Sequence, residues 1–146
     1  MADTLERILT SAASGMSAQS IRMNTIASNL ANVGNTRSTP ETTYHQKYPI
    51  FSEVTQAVAG LNDEDQPIGG VRVTDIQKTT KALERRYEPN NPQANAEGFV
   101  YMTDVNPIEE MTNMISASKA YEANVQMMTT TKDLMVKSLE VIKERG

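Results

Sequence analysis

From Asp3 to about Val33 the apolar residues recur at alternating spacings of four and three: Leu5, Leu9, Ala12, Met16, then Met23, Ile26 and Leu30, with Gln19 as the polar interruption. A seam of this period predicts a helix of coiled-coil type. Gly34 stands where a left-handed residue would end that helix, and Pro40 blocks its resumption, so the stop is expected near Asn32 or Val33. A second seam opens at "DVNPIEEM". There Asn106 is the expected cap, Pro107 takes the first helical position, and Glu109 lies three residues past the cap, where it suits the dipole and a capping box. Met111, Met114, Tyr121, Val125, Met128, Met135, Leu139 and Ile142 carry the rhythm almost to the chain end, with Ser118 and Lys132 as its polar members. At 1.5 Å per residue such a helix would be about 55 Å long.

The middle of the chain changes period. "TRSTPETTYHQKYPIF" is rich in Thr, Pro and Tyr, and "LNDEDQPIGG" reads as an acidic turn or loop. "GVRVTDI" alternates as a short strand does, and "ALERRYE" (82–88) and "GFVYM" (98–102) are further strand candidates around the loop "PNNPQANAE". The expected fold is mainly α: long N- and C-terminal helices packed as a coiled-coil-like pair, with a small, irregular, β-containing middle region. The expected divisions are 1–35, 36–105 and 106–146.

The polar positions of the helices are unusual. Between Ser14 and Asn35 the one charged side chain is Arg22, and between Met111 and Thr131 they are Lys119 and Glu122. A solvated helix face carries Lys, Glu and Arg of both signs, whereas buried contacts tolerate Ser, Asn, Gln and Thr and disfavour charge. Burying the seam alone falls short of offsetting the entropy of ordering two such long helices. Contacts with other protein are therefore expected to supply the remainder, and the helices to gain much of their order on docking. The plainer alternative is the ordinary core of a monomeric bundle; the missing charges favour assembly. The candidate interface residues on the first helix are Met16, Gln19, Met23, Asn24, Ile26, Asn29, Leu30 and Asn32. On the second they are Met111, Asn113, Met114, Tyr121, Asn124, Val125, Met128, Met135 and Leu139.

Composition narrows the chemistry. The 146 residues, 38% of them hydrophobic, suit one or two small units. A net charge of −4 without a Lys/Arg cluster argues against nucleic acid as the partner. The lack of cysteine removes disulfides, thiolate metal sites and a Cys nucleophile. The N-terminus carries Asp3 and Glu6 where a signal peptide wants positive charge, and no run of about 18 apolar residues offers a membrane span. His45, the single histidine, reads as a loop or interface residue in the absence of neighbouring acid-base groups. Asp63 and Asp65 begin like a calcium loop, but Ile68 and Thr74 occupy the positions that need Gly and Glu, so a solvated turn is expected. Glu109 and Glu110 diverge on the helix and are accounted for by its dipole. Gly69 and Gly70 lack a phosphate-loop context, and the nine methionines suit adaptable packing. No catalytic residue, cofactor or metal site is expected.

"GMSAQSIRMNTIASNLANVGNTRSTP" and "NPIEEMTNMISASKAYEANVQMMTTTKDLMVKSL" together resemble the paired terminal signatures of bacterial flagellar axial proteins, the rod and hook family, across about half the chain. Ser28, Asn29, Leu30, Ala31 and Asn32 match the family's Ser/Ala-Asn-Leu-Ala-Asn core, and Glu110, Met111, Asn113, Met114, Ala117, Tyr121, Ala123, Asn124 and Val125 match its C-terminal pattern. Thr36, Arg37, Tyr44 and the short "PIF" at 49–51 resemble the proximal-rod version. The sequence departs from it in "PETTYHQKY", in Lys119 where Arg is frequent, and in the ending "VIKERG". The resemblance implies a structural subunit of the flagellar basal-body rod, a tubular assembly crossing the periplasm that transmits torque and continues the export channel. It also implies packing against copies of itself and other rod proteins, and passage through the flagellar type III export apparatus without a cleaved signal. Peptidoglycan or ring proteins are further candidate partners for the middle region. The competing classes are a soluble coiled-coil adaptor or export chaperone, whose helices would be well formed alone, and an enzyme built on the middle region.

Overall fold

A computed structural model describes residues 2–54 and 69–144. The acidic segment with Asp63, Asp65 and Ile68 lies outside the described residues. The order of elements is α1 (Ala2–Ala31), β1 (Thr36–Arg37), β2 (Lys47–Glu53), β3 (Val71–Lys78), β4 (Arg85–Tyr87), β5 (Phe99–Met102) and α2 (Pro107–Glu144). The two long helices and the small β-containing middle are as the hydrophobic period predicts.

The helix ends follow from local chemistry. Asn32 N–H bonds to the Asn29 carbonyl at 3.0 Å and Asn35 N–H to the Asn32 carbonyl at 3.2 Å, which tightens the last turn of α1. Gly34 then takes φ +76°, the left-handed C′ position that a side chain would strain. At the start of α2, Asn106 Oδ1 accepts the backbone N–H of Ile108 at 3.0 Å and of Glu109 at 3.4 Å, so the expected cap is in place.

Two small sheets occupy the middle. One has the order β1-β5-β4, all antiparallel, with Arg37 opposite Tyr101 and Arg85 opposite Tyr101 on the other side. Of the segment 82–88, only Arg85–Tyr87 pairs as a strand. The other sheet pairs β2 with β3. Thr79 N–H bonds to the Gln46 carbonyl and Val54 N–H to the Gly70 carbonyl, each at 2.8 Å, which closes its two ends and makes it antiparallel. β2 has no counterpart among the expected strands, because Pro49 interrupts its run and its alternation is weak.

The chain divides into two compact units, 1–21, 51–74 and 117–146 in one, 22–50 and 75–116 in the other. In the first, the most enclosed positions are Ala12, Gly15, Ala18, Ala117 and Thr131. In the second they are Thr25, Ile26, Asn29, Thr43, Val100, Val105 and Glu110. Along α1 the deepest line shares Ala12 and Ile26 with the apolar seam and adds Gly15, Ala18, Thr25 and Asn29, while Met16, Met23 and Leu30 are half-buried flanks. Close helix approach needs small side chains at the contact, and the large ones cover its edges.

Candidate assembly interface

Within the second unit, α1, the segment before β2 and the first turn of α2 meet at one amide. Asn29 is 1% exposed and uses its full hydrogen-bonding capacity. Its Nδ2 donates to the Lys47 carbonyl at 2.8 Å and to Glu110 Oε2 at 2.7 Å. Its Oδ1 accepts from Lys47 N–H at 2.9 Å and from the Tyr44 hydroxyl at 2.8 Å. Lys47 N–H can only donate and its carbonyl only accept, so the amide orientation is fixed by the backbone it touches. Asn29 thus serves Lys47 as a paired strand residue would, at the point where β2 begins.

Glu110, 2% exposed, is the other half of this clamp. Its Oε1 accepts Gln46 Nε2 at 2.9 Å and Asn113 Nδ2 at 3.3 Å, so its carboxylate is surrounded by side-chain amides. Gln46 N–H in turn donates to Asp104 Oδ1 at 2.7 Å. The Ser28 hydroxyl reaches Tyr44 at 3.1 Å, and Lys47 Nζ stands 5.3 Å from the Tyr44 ring. A buried carboxylate is tolerated only with its lone pairs satisfied, and the first turn of a helix favours it further. The helix dipole explains only part of the role of Glu110: Asn113 is a local partner, while Asn29 and Gln46 lie 81 and 64 residues away and leave no local pattern.

The surfaces are the reverse of an ordinary helical pair. In the first unit Ala12, Ala18 and Ala117 are almost fully enclosed, and a Cβ on Gly15 would lie 2.8 Å from Asn124 Nδ2. The inside is made of small and polar groups. Large apolar side chains of α2 face outward: Ile108 is 75% exposed, Met111 58% and Leu139 65%, with Ile115, Leu134, Val141 and Ile142 also exposed. Ile108, Met111 and Ile115 are spaced to form one stripe. Near the chain ends Leu5, Leu134, Met135, Leu139 and Ile142 line an open apolar groove of about 780 Å³.

The candidate residues therefore fall into three groups. Ile26 and Asn29 are enclosed within the chain, and the Asn29 amide, expected to meet a neighbouring protein, is used internally. Met16, Gln19, Met23, Leu30, Asn32, Asn113, Met114, Tyr121, Asn124, Val125, Met128 and Met135 are half-buried. Asn24, Met111 and Leu139 are exposed. Asn32 Nδ2 bonds back to the Ser28 carbonyl at 2.8 Å and its Oδ1 accepts Asn35 Nδ2 at 2.7 Å, so it finishes the helix. Gln19 Oε1 is buried without a hydrogen-bond partner. Gly15, Tyr44, Gln46, Asp104 and Glu110 lie outside the candidate contact residues; the amides of the first terminal motif and the carboxylate of the second are the sequence signal for the clamp. His45 lies in the loop before β2, its Nδ1 buried and unpaired. Among the described residues no three His, Asp or Glu side chains converge on a metal position, and no helix is long and apolar enough to cross a membrane.

Two family profiles match the ends of the chain: "Flagella basal body rod protein" over residues 9–36 and "Flagellar basal body rod FlgEFG protein C-terminal" over residues 96–141. The flagellar basal-body rod protein FlgC of Yersinia enterocolitica is 39% identical over 136 residues, covering 93% of this chain and 96% of the relative. Its counterpart in Buchnera aphidicola from Acyrthosiphon pisum is 36% identical over 140 residues, covering 94% and 98%. That of Bacillus subtilis is 34% identical over 140 residues, covering 90% and 93%. The chain belongs to the FlgC family of flagellar basal-body rod proteins. As a member of the FlgC family it is a structural subunit of the basal-body rod. Asn29 lies in one matched segment and Glu110 in the other, so the clamp joins the two regions that define the family, while Tyr44 and Gln46 come from the stretch between them.

Proposed function

We propose that this chain builds the rod by docking the outer faces of its terminal helices against those of neighbouring subunits, copies of itself and other rod proteins, in a tubular shaft. The observation that carries this reading is the outward placement of Ile108, Met111, Ile115, Leu134, Leu139 and Ile142 on a helix whose fully enclosed positions are Glu110, Ala117 and Thr131. Burying one such side chain is worth about 1.5–3 kcal/mol, so the stripe favours a protein neighbour over water.

In this reading the half-buried residues Met16, Met23, Tyr121, Val125 and Met128 form the rim of each contact, and Met111 and Leu139 its centre. Packed helices transmit torque because close-packed side chains yield little to shear. The subunit acts through contacts and performs no catalysis. It reaches the periplasmic part of the basal body through the flagellar type III export apparatus, without a cleaved signal, and continues the channel for later subunits.

The absence of native cysteine makes the test clean. Ala27 and Ala123 are exposed, and Ala27→Cys and Ala123→Cys should cross-link this chain to other rod subunits in isolated basal bodies. Cross-links confined to the single chain, with normal swimming after deletion of the gene, would reject the reading.

A further inference from the structure

The sheet β1-β5-β4 has one face turned to the core and one turned out. Val100 at its centre is fully buried. Directly opposed residues of antiparallel strands share a face, so Arg37, Tyr101 and Arg85 stand in one outer row, the two arginines about 10 Å apart at the backbone. Phe99 and Tyr87, two residues along each strand, form the next row. Their rings meet edge to face at 5.2 Å, and the Arg85 guanidinium lies 5.0 Å over Phe99. Arg37 and Arg85 are exposed and Tyr87 is 63% exposed.

This face is locally built. Gly98 takes φ +82°, and a Cβ there would lie 2.8 Å from the Tyr87 ring, so the glycine admits the ring against the turn. Arg86, on the other side of the sheet, pairs with Glu88. Among the described residues neither Arg37 nor Arg85 has a carboxylate within ion-pair distance. Stacking on Phe99 occupies one face of the Arg85 guanidinium and leaves its in-plane donors for a carboxylate, the geometry for which arginine is suited.

The start of α2, in the same unit, carries the complement. Ile108, Glu109 and Thr112 are exposed neighbours on one side of the helix, and Ile108 at 75% is the most exposed large apolar side chain among the described residues. The Asn106 cap fixes this turn through the N–H groups of Ile108 and Glu109. The Thr112 hydroxyl is turned back to the Ile108 carbonyl at 2.9 Å, which leaves Glu109 as the group that seeks a polar partner. Among the described residues its carboxylate has no cation within ion-pair distance. Glu109 and Glu110 outweigh the partial positive charge of the helix end, about half a unit, so the arginines meet a net negative surface. An apolar side chain beside a carboxylate thus matches rings beside guanidinium groups.

We propose that the outer face of this sheet, through Arg37, Arg85, Tyr87 and Tyr101, receives Ile108 and Glu109 of a second copy of this chain. The inference rests on the reading that the subunit assembles with copies of itself, and it gives α2 a second neighbour. Met111 lies on the opposite flank of Ile108 from Glu109 and is left for the helix contact. Ile108 covers the exposed rings while Glu109 bonds in plane to a guanidinium. The contact is head to tail, so it repeats from copy to copy around a ring or along a helix. A capped turn and a stacked face lose little freedom on docking.

The test uses the full chain in basal bodies. A tagged copy with Thr112→Cys and an untagged copy with Glu97→Cys, an exposed position beside Gly98 that leaves the face intact, are expressed together and treated with a short bismaleimide. A cross-linked species containing one tagged and one untagged chain is expected. It should fall about tenfold with Arg37→Glu plus Arg85→Glu and return when Glu109→Arg is added to the same chains. Where the reversed chain fails to enter basal bodies, Glu109→Arg should bring it back. Circular dichroism of each purified chain checks that these exposed substitutions leave folding intact. If the parent chain is present in basal bodies but the mixed species does not form, forms equally with both arginines reversed, or is not restored by Glu109→Arg, the inference falls and the rod reading stands. Linkage of Thr112→Cys to a different rod protein alone would likewise overturn it. Absence of the parent chain from basal bodies would remove both.

Discussion

Replacing Asn29 with alanine should unfasten the second unit at one point. The amide makes four hydrogen bonds, to Lys47 N–H, the Lys47 carbonyl, the Tyr44 hydroxyl and Glu110 Oε2. Three neutral bonds at about 1 kcal/mol and one to a carboxylate at about 2 kcal/mol set an upper value near 5 kcal/mol. Lys47 and Tyr44 are only half-buried, so water recovers part of what they lose, while Glu110 is enclosed and recovers little. The expected loss is about 3 kcal/mol, a large share of what holds a small unit together. It is read by urea unfolding followed by circular dichroism. Exchange of the Lys47 amide proton, which donates to Asn29, should accelerate about a hundredfold. Asn29→Asp keeps both acceptor contacts but sets a carboxylate against Glu110, and should cost at least as much at neutral pH. Ser28→Ala, which removes only the 3.1 Å contact to Tyr44, should cost about 0.5–1 kcal/mol and serves as the control. A loss below about 1 kcal/mol for Asn29→Ala, or Asn29→Asp as stable as the parent, would show that the clamp does not hold the unit.

Gly15→Ala should destabilise the parent chain, because the new methyl meets the Asn124 side chain at 2.8 Å, yet should stabilise an Asn124→Ala background by about 1 kcal/mol through helix propensity. A double-mutant cycle on urea midpoints measures the change of sign. Asn106→Ala removes the side-chain acceptor for Ile108 and Glu109 and should cost about 1 kcal/mol in the same assay. The Glu88 carboxyl is held below the usual glutamate range chiefly by the Asn91 side-chain amide, with Arg86 assisting, so its contribution is present above the unfolded pKa and lost as pH falls through the folded one. Carboxyl NMR titration should therefore show the Glu88 midpoint rising in Asn91→Ala.

The helices were legible because period, cap and stop signals agree: Asn106 and Pro107 at one start, Gly34 and Pro40 at one end. β3 was legible by alternation and β5 as a short strand candidate following a loop. β2 was not, since Pro49 weakens its pattern and the pairing at Lys47 comes from a helix side chain. The clamp was hidden for the same reason: Asn29 and Glu110 are 81 residues apart, and each has a sufficient local explanation, one as a tolerated amide and the other as a dipole partner. Family resemblance marked both residues without saying that they touch. The seam marked Ala12 and Ile26 but not Gly15 and Ala18, small residues that a close helix contact encloses, while the larger Met16 and Met23 are half-buried beside them.

That displacement bears on why such a chain belongs in an assembly. An amphipathic helix normally hides its large side chains and shows its charges. Here α2 hides Glu110, Ala117 and Thr131 and shows Ile108, Met111, Ile115, Leu134 and Leu139. Small inward residues bring the paired helices close but supply little transfer free energy, so the pair is weakly stabilised by its own contact. The polar clamp compensates through geometry more than through burial, fixing how α1 meets α2 and β2 in the second unit while its amides and carboxylate satisfy one another. The larger hydrophobic contribution is left for surfaces that a neighbour must cover. On the proposed docking of these helix faces, burial against a neighbour adds to the stability of the subunit and couples its folding to its place in the rod.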